Sequence, residues 1–310
     1  MNKRIDKEKR KQEKRSKKQD FTVLDLPHNR FQVFFDLLKT RYEIFLMISG
    51  MLFMFLIPFV VLEIVITIFS NNAYSNYINE TISLLQYQTQ VFQINLIFGL
   101  VEIIALFIFC VGLSGISRII KRLVFYESIQ FKEDFVLGIK KNFVQNFIVF
   151  LIFGVIYFIS RLLIVYQQVN GINDFLTTIL LYLPSILGFV LILPILIFVI
   201  IQNTIYSNKF NQNIKNGAFF YFKTGPITLG VLILLVSPFL LLLIRNIYSY
   251  LICLLVLLLI YLPLAIVIFH IYSMWVFDKF LNKYQFQQIY DKGIYRIKKE
   301  TNNDNFNNEN

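Results

Sequence analysis

The chain of 310 residues is 56% hydrophobic and 17% aromatic, more apolar than a water-soluble domain of that length. It is also basic, with 30 Lys and Arg against 19 Asp and Glu and a formal net charge of +11. The charge flanks long apolar stretches, a pattern that fits contact with an anionic lipid surface and argues against nucleic acid as a partner. Two cysteines and two histidines, all far apart in sequence, offer no zinc or haem constellation, so no cofactor is expected.

The first 18 residues hold ten Lys or Arg with no apolar periodicity, which predicts a basic disordered tail over residues 1–30. Such an arm suits a lipid surface, and docking onto an RNA or an acidic partner is the alternative. From Phe31, the residues Phe34, Phe35, Leu38 and Tyr42 share one helical face while Gln32, Asp36, Lys39 and Glu43 take the other. That spacing predicts an interfacial helix.

Six apolar runs follow, at 44–69, 94–114, 147–165, 176–206, 226–244 and 248–276. Each is long enough to cross a hydrocarbon core of ~30 Å at ~1.5 Å per residue. The alternation of a membrane β-barrel is absent, and backbone pairing in lipid then demands helices. The expected fold is all-α: a polytopic membrane protein with six transmembrane helices in three hairpins, a membrane domain over 31–290, and a second polar tail over 291–310. The first run starts after some 40 mostly polar residues and is too long for a signal-peptide core, so it should remain as an anchor.

All but two of the 30 basic residues lie on one side of this arrangement. The opposite segments, 71–93 and 166–174, contain no Lys or Arg and read as exposed loops. The positive-inside rule places both termini in the cytoplasm, facing an anionic inner leaflet. The excess of Ile, Asn, Lys, Phe and Tyr suggests an AT-rich bacterial genome, and hence a bacterial cell membrane. Asn79-Glu80-Thr81 would accept a glycan only in a secretory-pathway host.

Two further cytoplasmic segments repeat the amphipathic design. One runs through Phe131, Phe135, Ile139 and Phe143 with Lys132, Glu133, Lys140 and Lys141 opposite; the other runs through Phe210, Ile214, Ala218 and Phe222. Gly138 and Gly217 occupy matching places. These helices are expected either to anchor the hairpins on the leaflet or to touch a cytoplasmic partner.

Ionisable groups inside apolar runs are costly and need partners or water. Glu63, Glu102, Arg161 and Arg245 all fall in the outer half, and the depths of Glu102 and Arg161 bring them within reach of each other. Two readings stay open for that pair: a link between hairpins, or a substrate or proton site in an outward-facing cavity. His270 is a further candidate. Pro58, Pro184, Pro194, Pro238 and Pro263 interrupt four of the runs, and kinked spans can open polar cavities.

The run from Gly112 through Ser114, Gly115, Arg118, Lys121 and Arg122 to Leu123 precedes Phe131, Asp134-Phe135 and Lys140-Lys141-Asn142-Phe143. This resembles the central pattern of the YesL-like family of small bacterial integral membrane proteins, and Asn213 to Ala218 is similar to a later segment of that family. The likeness covers roughly residues 31–289, but the family's Pro-x-x-Thr-x-Gly turn is missing and the basic tail is additional. It implies a turn at the small residues, then a basic helix, and an accessory component associated with carbohydrate uptake, without catalytic residues. Gly112-Leu113-Ser114-Gly115 is also similar to the serine motif of rhomboid proteases, with His270 at a comparable depth. The serine ends the second run instead of sitting in a central one, so helix packing is the preferred reading and no enzyme is expected. The expected function is a non-catalytic accessory or scaffold protein contacting membrane transporter subunits. The alternative is a small-solute transporter or channel working at Glu102 and Arg161.

Overall fold

The computed structural model describes residues 26–243 and 247–295, so Arg245 and most of both expected tails lie outside the described residues. The described chain is 87% helical and contains no strand. Helix α1 spans Arg30–Thr40, α2 Tyr42–Ile78, α3 Leu84–Val124 and α4 Phe131–Val169. Helix α5 begins at Phe175–Leu187, widens through a π turn at Gly188–Ile192 and resumes at Leu193–Ile205. Helix α6 spans Phe210–Val236 and tightens into a 3-10 turn at Ser237–Leu243. Helix α7 starts at Ile247–Val256, passes a π turn at Leu257–Tyr261, continues over Leu262–Phe277 and ends through a second π turn at Asp278–Asn282.

Helices α2 to α7 contain six segments long and apolar enough to cross a membrane, making this an all-α polytopic membrane protein. An even number of spans returns both described ends to one face, where the Tyr295 amide donates to the Pro27 carbonyl at 2.8 Å. That terminal face carries the basic residues. On α2, Leu46, Met54, Ile57, Val61, Ile64 and Ile68 stay exposed at helical spacing, the outward apolar stripe a bilayer covers.

The helices overrun the apolar runs at both faces. The segment 71–93, expected as a long loop, is mostly helix, because α2 continues to Ile78 and α3 starts at Leu84. Neither Gly nor Pro interrupts it, Tyr77 stacks on Tyr87 at 5.3 Å between centroids, and Ser83 with Gln86 forms a capping box. Asp174 likewise caps α5; the Thr177 amide and hydroxyl hold its carboxyl below the usual carboxylate range.

The amphipathic segments 131–143 and 210–222 are not separate surface helices but the unbroken first turns of α4 and α6. The buried positions of the first segment are polar or small, Asp134, Gly138 and Asn142, whereas the second buries Asn213 and Gly217 together with the aromatic Phe220 and Tyr221. The turn expected at Gly112 to Gly115 is absent, and α3 runs through these residues to Val124. A Cβ at Gly112 would stand 2.5 Å from the Phe55 ring, and one at Gly138 would stand 2.8 Å from the Ser114 and Gly115 carbonyl oxygens. Small residues here let α2, α3 and α4 approach at backbone distance.

Three intramembrane prolines each free the carbonyl four residues earlier, and each carbonyl is taken by a hydroxyl. Tyr221 donates to Val190, below Pro194, at 2.5 Å. Ser49 donates to Leu259, below Pro263. Ser237 donates to Leu234, below Pro238, at 2.9 Å. In lipid, where water cannot reach a spare carbonyl, this local repair lets α5 and α7 widen and α6 tighten without leaving these three carbonyls unpaired.

At the terminal face, Arg30 donates to Asp278 at 2.6 Å and to the Lys292 carbonyl at 2.8 Å. Asn282 links Asp278 to Tyr206. Residues 26–30 and 291–295, placed by sequence in the two tails, are therefore folded onto the bundle. Tyr126, at a positive φ of 55°, donates to Asp36 at 2.6 Å and fixes α1; burial and the Asp36 charge raise its phenol above the ordinary range.

Candidate functional site

The polar centre of the membrane domain forms because three helices each present one ionisable group at the same depth. Arg161 on α4 donates to both Glu102 oxygens on α3, at 3.0 and 2.9 Å, and to Glu63 on α2 at 2.8 Å. Its Nε donates to Asn95 at 3.0 Å. Tyr157, one turn earlier on α4, donates to Glu63 at 2.6 Å. Nη1 also donates to the Tyr157 hydroxyl at 3.1 Å, so Nη1 and Nε together meet acceptors on four residues fixed by packed helices.

The groups differ in access. Glu102 is fully buried, whereas the Glu63 side chain is 35% exposed. Glu63, Tyr157 and Arg161 line a half-open cavity of about 770 Å³, which runs to Ser70, Tyr74 and Gln168 near the face opposite the termini. Its far wall is the π turn of α5, reached through Ser185, Gly188 and Phe189. A π turn displaces side chains from regular register and often borders a functional site. Two lining hydroxyls, Ser160 and Ser185, are buried with no hydrogen-bond partner. An unpartnered hydroxyl beside a cavity is a spare hydrogen-bonding group that a small shift of its helix turns toward a guest or a water.

Two carboxylates facing one guanidinium leave one formal negative charge in excess when all three are ionised. A cation or a proton entering from the cavity balances it. The cluster can therefore hold a polar guest by hydrogen bonds and favour a positive group.

The structure brings together Glu102, Arg161 and Glu63. It leaves His270 elsewhere, with Nδ1 3.0 Å from the Ile266 carbonyl oxygen. Ser114 accepts from Asn146 at 2.9 Å and is not bonded to His270. Sequence reasoning missed Asn95, Tyr157, Ser160 and Ser185. The usable signals were the four-residue step from Tyr157 to Arg161 and the seven-residue step from Asn95 to Glu102, which share helix faces.

A second polar network, also missed, crosses the bundle near the terminal face. Asn146 donates to Ser114, Asn203 to Asn146 at 2.9 Å, and Asn213 to Asn203 at 2.8 Å. These amides tie α3, α4, α5 and α6 together, and the relay ends at Asn213, whose Oδ1 is buried without a partner. Among the described residues no group of three or more His, Cys, Asp or Glu is placed to hold a metal ion.

Fold and cavity define the class, a polytopic α-helical membrane protein with a charged cavity reaching into the bundle. No family model, curated protein or solved structure matches the chain.

Proposed function

We propose that the chain is a cell-membrane protein with both termini in the cytoplasm, and that its cavity takes up a small polar solute from outside as the first step in moving it across the bilayer. The observation that carries this reading is the joint presence of Glu63, Arg161 and two unpartnered hydroxyls in one cavity. A purely structural ion pair needs none of that access. The excess carboxylate favours a solute with a cationic group. Orientation is supported by Lys and Arg at the terminal face and their absence from 71–93 and 166–174.

Binding to the purified full chain in lipid nanodiscs tests the proposal, with choline, lysine and glucose as probes and the melting temperature as the readout. The two cationic probes should raise it saturably and glucose should not. Glu63→Gln should weaken that response by roughly tenfold, the worth of one charge-assisted contact. A response absent for all three probes, or unchanged in Glu63→Gln, contradicts the proposal.

An accessory role beside a carbohydrate uptake transporter is the second reading. What favours it is the exposed surface of the terminal face, where Lys132, Lys140, Lys141 and Lys215 accompany an exposed Phe222.

A further inference from the structure

Beyond the charged cavity lies a second one of different chemistry. It holds about 320 Å³ between α3, α4, α5, α6 and α7, and its walls are apolar, formed by side chains such as Phe150, Leu196, Leu232 and Ile266. Phe153 and Leu193 line both cavities and form the partition between them. Val236, another lining residue, is exposed on the outer surface of the bundle, which puts an edge of the cavity within reach of lipid.

One polar side chain enters this wall. His270 is 5% exposed, and its Nε2 is buried without a partner. The other ring nitrogen is committed, since Nδ1 lies 3.0 Å from the Ile266 carbonyl oxygen. A carbonyl can only accept, so in the neutral ring Nδ1 carries the proton and Nε2 presents a lone pair. A buried acceptor left unpaired in an apolar cavity is costly. A water would need two or more polar partners to settle there, and the wall supplies one.

We propose that this cavity binds a neutral amphiphile, an apolar body carrying one hydroxyl donor, whose O–H bonds Nε2 of His270 while its hydrocarbon fills the space below Phe153 and Leu193. The volume lies at the low end for ligand sites, so the bound portion is the head and first segment of a lipid-like molecule with its remainder leaving past Val236. A carboxylate is excluded by the lack of a donor or cation in the wall, and an alkane leaves Nε2 unpaired.

The test uses the full chain in nanodiscs and two photoactivatable probes, a diazirine-bearing 1-dodecanol and its methyl ether, with labelled positions read by peptide mass spectrometry. The alcohol should label the segments around Leu232 and Ile266 about tenfold more than the ether, which has no donor. His270→Phe should reduce alcohol labelling to the level of the ether, and Leu232→Trp, which fills the cavity, should abolish labelling by both. Equal labelling by alcohol and ether in the unmodified chain overturns the proposal. So does labelling that survives Leu232→Trp. Because the probe comparison is made in the unmodified chain, it decides the matter even where His270→Phe folds poorly.

Discussion

Arg161 is the residue on which the membrane domain turns. Its charge is taken out of water only because Glu102 and Glu63 face it, and removing one member of such a group leaves a buried charge uncompensated. Arg161→Met should therefore lower unfolding stability by roughly 3–5 kcal/mol, measured by denaturant titration in detergent. Glu102→Gln in the same chain should recover most of that loss, because the deepest carboxylate is then neutral. A double variant as unstable as the sum of the two single variants would show that the groups act independently and the pairing is incidental. Depth counting made the contact of Glu102 with Arg161 legible in the sequence. The share of Glu63 was not legible, because the register of α2 against α3 is set by Phe55 seating on Gly112, a contact between distant residues.

At the scale of the helices, proline and hydroxyl act as pairs. Pro194 gives α5 its widened turn beside the charged cavity, and Tyr221 from α6 satisfies the carbonyl that Pro194 abandons. Tyr221→Phe should cost about 1–3 kcal/mol, the penalty of an unpaired buried carbonyl, readable as a lowered midpoint of unfolding. Combining it with Pro194→Ala should return part of the loss, since the substitution restores a backbone N–H that can reach the Val190 carbonyl. Failure of the second change to help would mean that the π turn is held by packing alone. The prolines were plain in the sequence, but their partners were not. Ser49 and Ser237 look like ordinary polar residues in apolar runs, and Tyr221 like part of an amphipathic segment, until the fold places Ser49 and Tyr221 on helices neighbouring the prolines they serve. Helix ends were misjudged for a simpler reason: hydropathy marks where the hydrocarbon stops, whereas an α-helix stops only where its backbone is capped, and Ile78 and Leu84 lie beyond the apolar runs.

For the whole molecule, the number of spans was fully legible, because each needs some 20 apolar residues in one stretch and six such stretches stand apart. The cavities were not, since they lie between helices that are distant in sequence and open where π turns spread the packing. The folded layout gives the two faces different work. The terminal face is closed by the Arg30 and Asp278 clamp and the asparagine network, while the opposite face admits solvent toward Glu63. The proposed uptake requires that solute enter from the open face. That claim is tested most directly by thiol accessibility in intact cells. With Cys110 and Cys253 replaced by serine, Thr67→Cys, on the exposed part of the cavity wall one turn from Glu63, should react with a membrane-impermeant thiol reagent added outside, and excess choline should slow the reaction. Labelling that requires permeabilised cells would contradict the orientation, and no labelling even in permeabilised cells would contradict the open cavity.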